Sequence, residues 1–234
     1  CYPDARRESE SKNTYLEPTI TLRYRKPIGE KDNLSIGVGL SHNKNRNLSS
    51  NHFYDASTLD YSLPDTLRDR ESLAQDREEY AILNWRHQTK VYSTTLGVIA
   101  ESHQIDYTVV SLFPEEREFN YMAFRPTFNF TCHTKKMHYF SFNYSLSSTH
   151  PTPKQLSQSP AYQYDSYTIG NALLEPYFSH KADMGWNKYY KSGSSISIEA
   201  YGEWNNNTIE SVLDATTIPD PYLGRIVPFT TYYN

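Results

Sequence analysis

From position 119 to 146 the chain alternates apolar and polar residues, with one short polar break at His133-Thr134-Lys135-Lys136. Met122, Phe124, Phe128 and Phe130 fall on one side, and Tyr121, Ala123, Arg125, Thr127, Asn129 and Thr131 on the other. Beyond the break, Phe140, Phe142, Tyr144 and Leu146 alternate with Ser141, Asn143, Ser145 and Ser147. Side chains on a strand point to opposite faces with period two, so the segment predicts a hairpin with one apolar and one polar face. Each arm is longer than the usual soluble strand of about five or six residues. Long strands with an apolar band and a polar reverse side are what the wall of a transmembrane β-barrel requires.

The same period predicts about eight strands in all. The first, over 15 to 25, sets Leu16, Ile20, Leu22 and Tyr24 against Glu17, Thr19, Thr21 and Arg23. Leu34, Ile36, Val38 and Leu40 follow, then Ala81, Leu83 and Trp85, then Tyr92, Leu96, Val98 and Ala100. After the central hairpin come Phe178, Ala182, Met184 and Trp186, and last Ile196, Ile198, Ala200 and Trp204. Short polar turns fall near 26 to 33, 88 to 90, 133 to 136 and 190 to 194. Longer segments, expected to be loops, fall at 45 to 75, 106 to 117, 150 to 177 and from 213 onward. Short turns at one rim and long loops at the other suit an outer-membrane barrel. The expected fold is therefore all-β: an antiparallel up-and-down meander of long strands, part of a transmembrane barrel, in a single unit over 1–234 with no plug domain.

Composition agrees without deciding. The 234 residues are 37% hydrophobic, and no apolar run reaches the about eighteen residues of a helical span. Mean hydropathy is -0.74, which a barrel tolerates because only alternate residues face lipid. Tyr is heavily used, with 21 copies beside 10 Phe and 3 Trp, and its ring and hydroxyl both suit a membrane interface. A net charge of -4 gives no footprint for nucleic acid. Two cysteines, Cys1 and Cys132, make neither a disulfide framework nor a metal set. Cys1 leaves two readings open, a lipidated N-terminus or the boundary of a piece of something longer.

One segment is more specific. Pro153-Lys154-Gln155-Leu156, then Asp165-Ser166-Tyr167-Thr168-Ile169, then Gly170-Asn171-Ala172-Leu173-Leu174-Glu175-Pro176 precede an alternating strand. This run resembles the loop before a late barrel strand in TonB-dependent outer-membrane receptors, in the version common in Bacteroidetes. Ala172 stands where that version has Pro, and Glu175-Pro176 reverses the usual order of its ending. The resemblance implies a C-terminal-side portion of a barrel of about 22 strands filled by a plug. It also implies outer-membrane lipid, a plug and TonB as partners, and an unknown bulky nutrient as ligand. Gly170 and Asn171 are expected to supply positive φ in a tight turn, Leu173 and Leu174 to pack it on the rim, and Pro176 to fix the chain before pairing. The motif marks architecture, not chemistry.

Catalytic and cofactor motifs are absent from the sequence: there is no nucleophile elbow, zinc-binding His-Glu-x-x-His or phosphate-binding Gly loop. No catalytic, cofactor or metal residue is assigned. His133 and His138 flank a turn and lack a third donor, so a solvated turn is favoured over a metal site. Glu115-Glu116 and Glu78-Glu79 read as solubilising charge. Asn129-Phe130-Thr131 and Asn143-Tyr144-Ser145 arise from alternation and are not read as glycosylation sites. Tyr162, Tyr164 and Tyr167 are the candidate ligand contacts, in the 150 to 177 loop, where aromatic faces stack on a sugar, peptide or chelate or else pack the loop itself. Arg23, Arg86, Arg125, Lys181 and Glu199 are expected to face the lumen. Two other functions stay open: a small closed eight-stranded barrel acting as adhesin or anchor, and a soluble surface module lipidated at Cys1 with Phe124, Phe128, Phe140 and Phe142 buried under a second layer.

Overall fold

Alternation becomes strand along nearly the whole chain. A computed structural model describes residues 7–55, 57–162, 166–214 and 228–234; Cys1 and Tyr164 lie outside them. The elements are β1 (Arg7–Leu16), β2 (Thr19–Ile28), β3 (Asp32–Asp55), β4 (Asp60–Pro64), β5 (Arg70–Gln88), β6 (Tyr92–Val110), β7 (Glu115–His133) and β8 (His138–Thr149). A helical turn α1 (Pro153–Leu156) follows, then β9 (Ala161–Tyr162), β10 (Tyr167–Thr168), β11 (Tyr177–Tyr189), β12 (Ser195–Asn206), β13 (Glu210–Asp214) and β14 (Phe229–Tyr233). The main sheet runs β1-β3-β5-β6-β7-β8-β11-β12, all antiparallel. Strands β9, β10, β13 and β14 form a small second sheet.

Leu16 pairs with Lys44 and Thr19 with Ser41 in one unbroken register, so β1 and β2 are a single strand interrupted at Glu17-Pro18. Proline has no N–H for the ladder and is tolerated on such an edge. Taken so, the main path is the expected meander of eight long strands.

Cross-strand partners share a face, and the registers sort every side chain. One hydrogen-bonded row runs Lys26, Leu34, Trp85, Leu96, Phe128, Tyr144, Ala182, Gly202. It begins beside the turn that ends β2 and finishes near the far end of β12, the stagger that a tilted barrel wall needs. The face holding this row is apolar and bare: Leu22 is 72%, Phe124 60% and Met184 57% exposed. Among the described residues no second layer covers it, contrary to the soluble-module alternative. In lipid such exposure is favourable. Trp85, Tyr92, Phe130, Phe140 and Trp186 belt it toward the short turns, and Tyr144 and Trp204 toward the other end, as aromatic girdles do. Arg23, Arg86, Arg125, Lys181 and Glu199 all fall on the opposite, luminal face.

The strands overrun the membrane. A tilted strand crosses with about 9–11 residues, whereas β3 has 24 and β5, β6 and β7 have 19 each. Much of the segments expected as loops at 45 to 75 and 106 to 117 is therefore strand. Above the bilayer band the faces exchange character. Outside, Leu40, Ala81, Ala100 and Phe124 give way to Arg46, Arg77, Asp106 and Glu118. Inside, Ile105, Tyr107 and Val109 are 1%, 4% and 1% exposed, a dry core each of whose aliphatic members is worth about 1.5–3 kcal/mol.

Pro126 sets a second feature. The β7–β8 ladder stops at the Thr127–Ser145 pair, one position before Pro126, while the β6–β7 ladder runs through it. A missing N–H ends one ladder without disturbing the other. Freed from β7, the upper end of β8 reaches the luminal wall, where Ser148 hydrogen-bonds Glu101.

The assignment of faces predicts unequal costs for charge. Leu96→Arg, on the lipid face, is expected to lower the folding stability of the full-length protein in lipid vesicles by about 2–4 kcal/mol. Asn143→Lys, on the luminal face beside Asp183, is expected to change it by no more than about 1 kcal/mol. Denaturant titration of both variants checks this, and equal losses contradict the sidedness.

Candidate functional site

The segment between β8 and β11 folds onto the dry part of the luminal wall. Its first turn is specified locally: the Gln155 amide donates to Thr152 Oγ1 at 3.3 Å, the Thr152 amide donates to Gln155 Oε1 at 2.8 Å, and Pro153 opens the helix. This capping box, Thr152-Pro153-Lys154-Gln155, is a local sequence signal for the turn. It delivers Leu156, 0% exposed, to the wall.

Two charged side chains hold the segment. Arg70 donates to Tyr107 Oη at 3.1 Å, Ser157 Oγ at 3.2 Å and the Ser159 carbonyl at 3.3 Å. Glu115 accepts from Ser157 Oγ at 2.6 Å and from the Ser159 and Gln158 amides at 2.8 and 3.1 Å. Glu115 is thus a clasp, not the solubilising charge expected. It sits at the end of β7 away from the short turns, well above the apolar band. Burial pushes its carboxyl up, but the hydrogen bonds from Ser157, Gln158, Ser159 and Arg117 outweigh that and hold it below the usual carboxylate range.

The run that ends at Pro176 is held by other means than expected. The positive-φ residues among those described are Gly29, Leu59, Met137, Gly193 and Asn207, so neither Gly170 nor Asn171 makes a left-handed turn. Gly170 is needed for close approach: a Cβ there would lie 2.4 Å from the Ser157 carbonyl oxygen and 2.5 Å from that of Gln155. Asn171 receives the Leu173 amide at 2.9 Å and donates to the Tyr232 carbonyl at 3.0 Å, tying the motif to β14. Leu174 packs at 4% exposure, whereas Leu173, expected to pack too, is 87% exposed. Pro176 immediately precedes β11.

Tyr162 and Tyr167 come together, 5.3 Å between ring centroids, in a row that continues to Phe113 at 5.9 Å and Phe229 at 5.3 Å. Tyr164 lies outside the described residues. His133 and His138 are on opposite faces: His133 pairs in register with Tyr139, and His138 accepts from Trp186 Nε1 at 3.1 Å. They cannot share an ion.

A different histidine pair meets at the foot of the loop. His103 faces the lumen on β6, opposite Glu78, and Asp76 lies two residues away on the same face of β5. His150, the first residue past β8, joins them. His103 Nδ1 lies 3.2 Å from Asp76 Oδ1, His150 Nε2 lies 3.5 Å from Asp76 Oδ2, and the two rings are 4.4 Å apart. Glu78 and Glu101 also lie within reach of His103, Glu101 being paired with Arg125 at 2.5 Å. Parity along β5 and β6 put Asp76, Glu78, Glu101 and His103 on one face, but only the departure of β8 from β7 brings His150 to them.

A staggered antiparallel sheet, apolar and belted with aromatics outside, polar inside, with a loop folded against its inner wall, is the wall of a membrane β-barrel. The chain matches the outer membrane protein beta-barrel family over residues 2–234 and belongs to that family. It is a protein of the bacterial outer membrane. No curated protein matches it.

Because the folded-state value of Glu115 is lowered, its contribution is complete above the ordinary carboxylate range and is lost as the pH falls through that lowered value. Proteolytic cleavage within 150–176 is therefore expected to accelerate in acid. Glu115→Ala removes about 1–3 kcal/mol of hydrogen bonding, raises cleavage at neutral pH and flattens the pH response. Gly170→Ala also raises it, with no effect on that response. A cleavage rate indifferent to pH and to both substitutions contradicts the clasp.

Proposed function

We propose that this chain supplies wall and extracellular rim to a TonB-dependent receptor that imports a bulky nutrient. The observation that carries the reading is the 150–177 segment, whose receptor-like motif is packed onto the luminal wall at the end where the long connections gather. In such a receptor the nutrient is met by the extracellular loops, and Tyr162, Tyr164 and Tyr167 are proposed as its aromatic contacts. Energy delivered through TonB then rearranges a plug, for which Arg23, Arg86, Arg125, Lys181 and Glu199 supply a charged wall. The edges of β2 and β12, each paired on one side among the described residues, take further strands of the barrel. That arrangement supports a portion of a large barrel over a small closed one. The role is transport without covalent chemistry.

The test is uptake in the native bacterium, using a ferric chelate, a corrinoid, an oligosaccharide and a peptide. Deleting this gene is expected to abolish uptake of one of these, deleting TonB to abolish it equally, and Tyr162→Ala with Tyr167→Ala to reduce it by about tenfold, roughly 1.4 kcal/mol of binding. Unchanged uptake of all four, or a loss that TonB does not share, overturns the proposal.

A further inference from the structure

We propose that Asp76, His103 and His150 bind a divalent transition-metal ion of the zinc class on the luminal wall, stapling the root of the β8–β11 loop to β5 and β6. The inference needs the barrel wall alone and does not rest on nutrient import.

The donor set is the first argument. Two imidazoles and a carboxylate suit zinc and its transition-metal neighbours, whereas calcium and magnesium take oxygen ligands. The geometry is the second. One donor atom from each of the three residues lies within 4.8 Å of the others. The two carboxylate–imidazole separations, 3.2 Å to Oδ1 and 3.5 Å to Oδ2, are close to the roughly 3.3–3.6 Å between donors that share a tetrahedral zinc at about 2.0–2.2 Å. Asp76 and His103 stand on adjacent paired strands, so their spacing is held by the sheet.

Charge is the third argument. Asp76, Glu78 and Glu101 face one another's neighbourhood, and among the described residues the guanidinium or ammonium paired with any of them is that of Arg125, on Glu101. With neutral imidazoles, two of these carboxylates keep no bonded cation, although Lys154 lines the same cavity, and a divalent cation balances them. Glu78 belongs to a second grouping, with Glu101 and His103, and adds its charge beside the site and not a fourth ligand.

The surroundings supply access and a further oxygen. A cavity of about 380 Å³ opens on Asp76 and His150. It is also lined by Asn43, the register partner of Asp76, whose buried Oδ1 has no hydrogen-bond partner. Buried acceptors are seldom left unpaired, and a cation or its bound water would satisfy this one. Tyr121 stacks on His150 at 6.3 Å and limits where that ring can turn. The rival arrangement is a plain His-Asp-His hydrogen-bond network, which binds no ion and releases no protons on titration with metal.

The experiment uses the full-length protein, purified in detergent, stripped with a chelator and titrated with Zn²⁺ by calorimetry and with Co²⁺ by visible absorption. One equivalent of each is expected to bind, with proton release and tetrahedral cobalt bands. His103→Ala and His150→Gln are each expected to weaken Zn²⁺ binding by about tenfold or more, and His133→Ala to leave it unchanged. His150 lies outside the strands, so His150→Gln decides the question even where His103→Ala fails to show the heat-modifiable migration of a folded barrel. The proposal is overturned if the native protein shows no saturable Zn²⁺ uptake, or if His150→Gln binds as the native protein does, or if His133→Ala weakens binding as much.

Discussion

Every peptide group that enters lipid must find its partner within the sheet, because an unpaired N–H or C=O costs several kcal/mol there. That constraint explains why the ladders of the main path keep a single register in the apolar band, where the β7–β8 ladder alone among the described pairings ends early, at Pro126. The one register shift among the described pairings, between Phe53 and Tyr54 against β4, lies far beyond it. The prolines obey the same rule: Pro18 sits on an edge, and Pro126 keeps its pairing with β6 and forfeits the ladder to β8. The interruption is where architecture turns into a site. Without it β8 would stay level with β7, and His150 would not reach His103.

The eight strands and the bare apolar face were legible because lipid enforces a strict alternation on one side of each strand. The same logic misplaced the ends. Where the strands leave the bilayer, the outward side chains become Arg46, Arg77, Asp106 and Glu118, and the inward ones become Ile105, Tyr107 and Val109. The alternation persists with its polarity exchanged. Taken as one apolar face running through, it breaks off near residue 100, and the residues beyond resemble loop. The phase reversal within one run is the signal that β6 continues to Val110.

Less of the site was legible, for reasons that differ by residue. The capping box at Thr152 is local chemistry and needed no structure. Gly170 was expected for positive φ, whereas close approach is what excludes a Cβ there; both demand glycine and a sequence cannot separate them. Leu173 and Leu174 are adjacent, so at most one could face the wall in the conformation that Asn171 imposes. His103 belongs to β6 and His150 to the connection after β8, and nothing local announces their meeting. Even the acid pairs misled in this way: Glu79 does face outward at the border of the band, while Glu78 faces the charged lumen.

The wall and the rim are energetically separate structures joined at few points. In the band, stability comes from backbone pairing and lipid contact; at the rim it comes from a small dry core and from Arg70 and Glu115, each binding several groups of the loop at once. Multiple bonds to one carboxylate make its loss cooperative, because removing it strands the Ser159 and Gln158 amides together. The loop can therefore be released by a change at Glu115 while the strands below keep every hydrogen bond. A barrel rim can then change without unravelling the wall, and the division follows from where the bilayer ends along strands that do not.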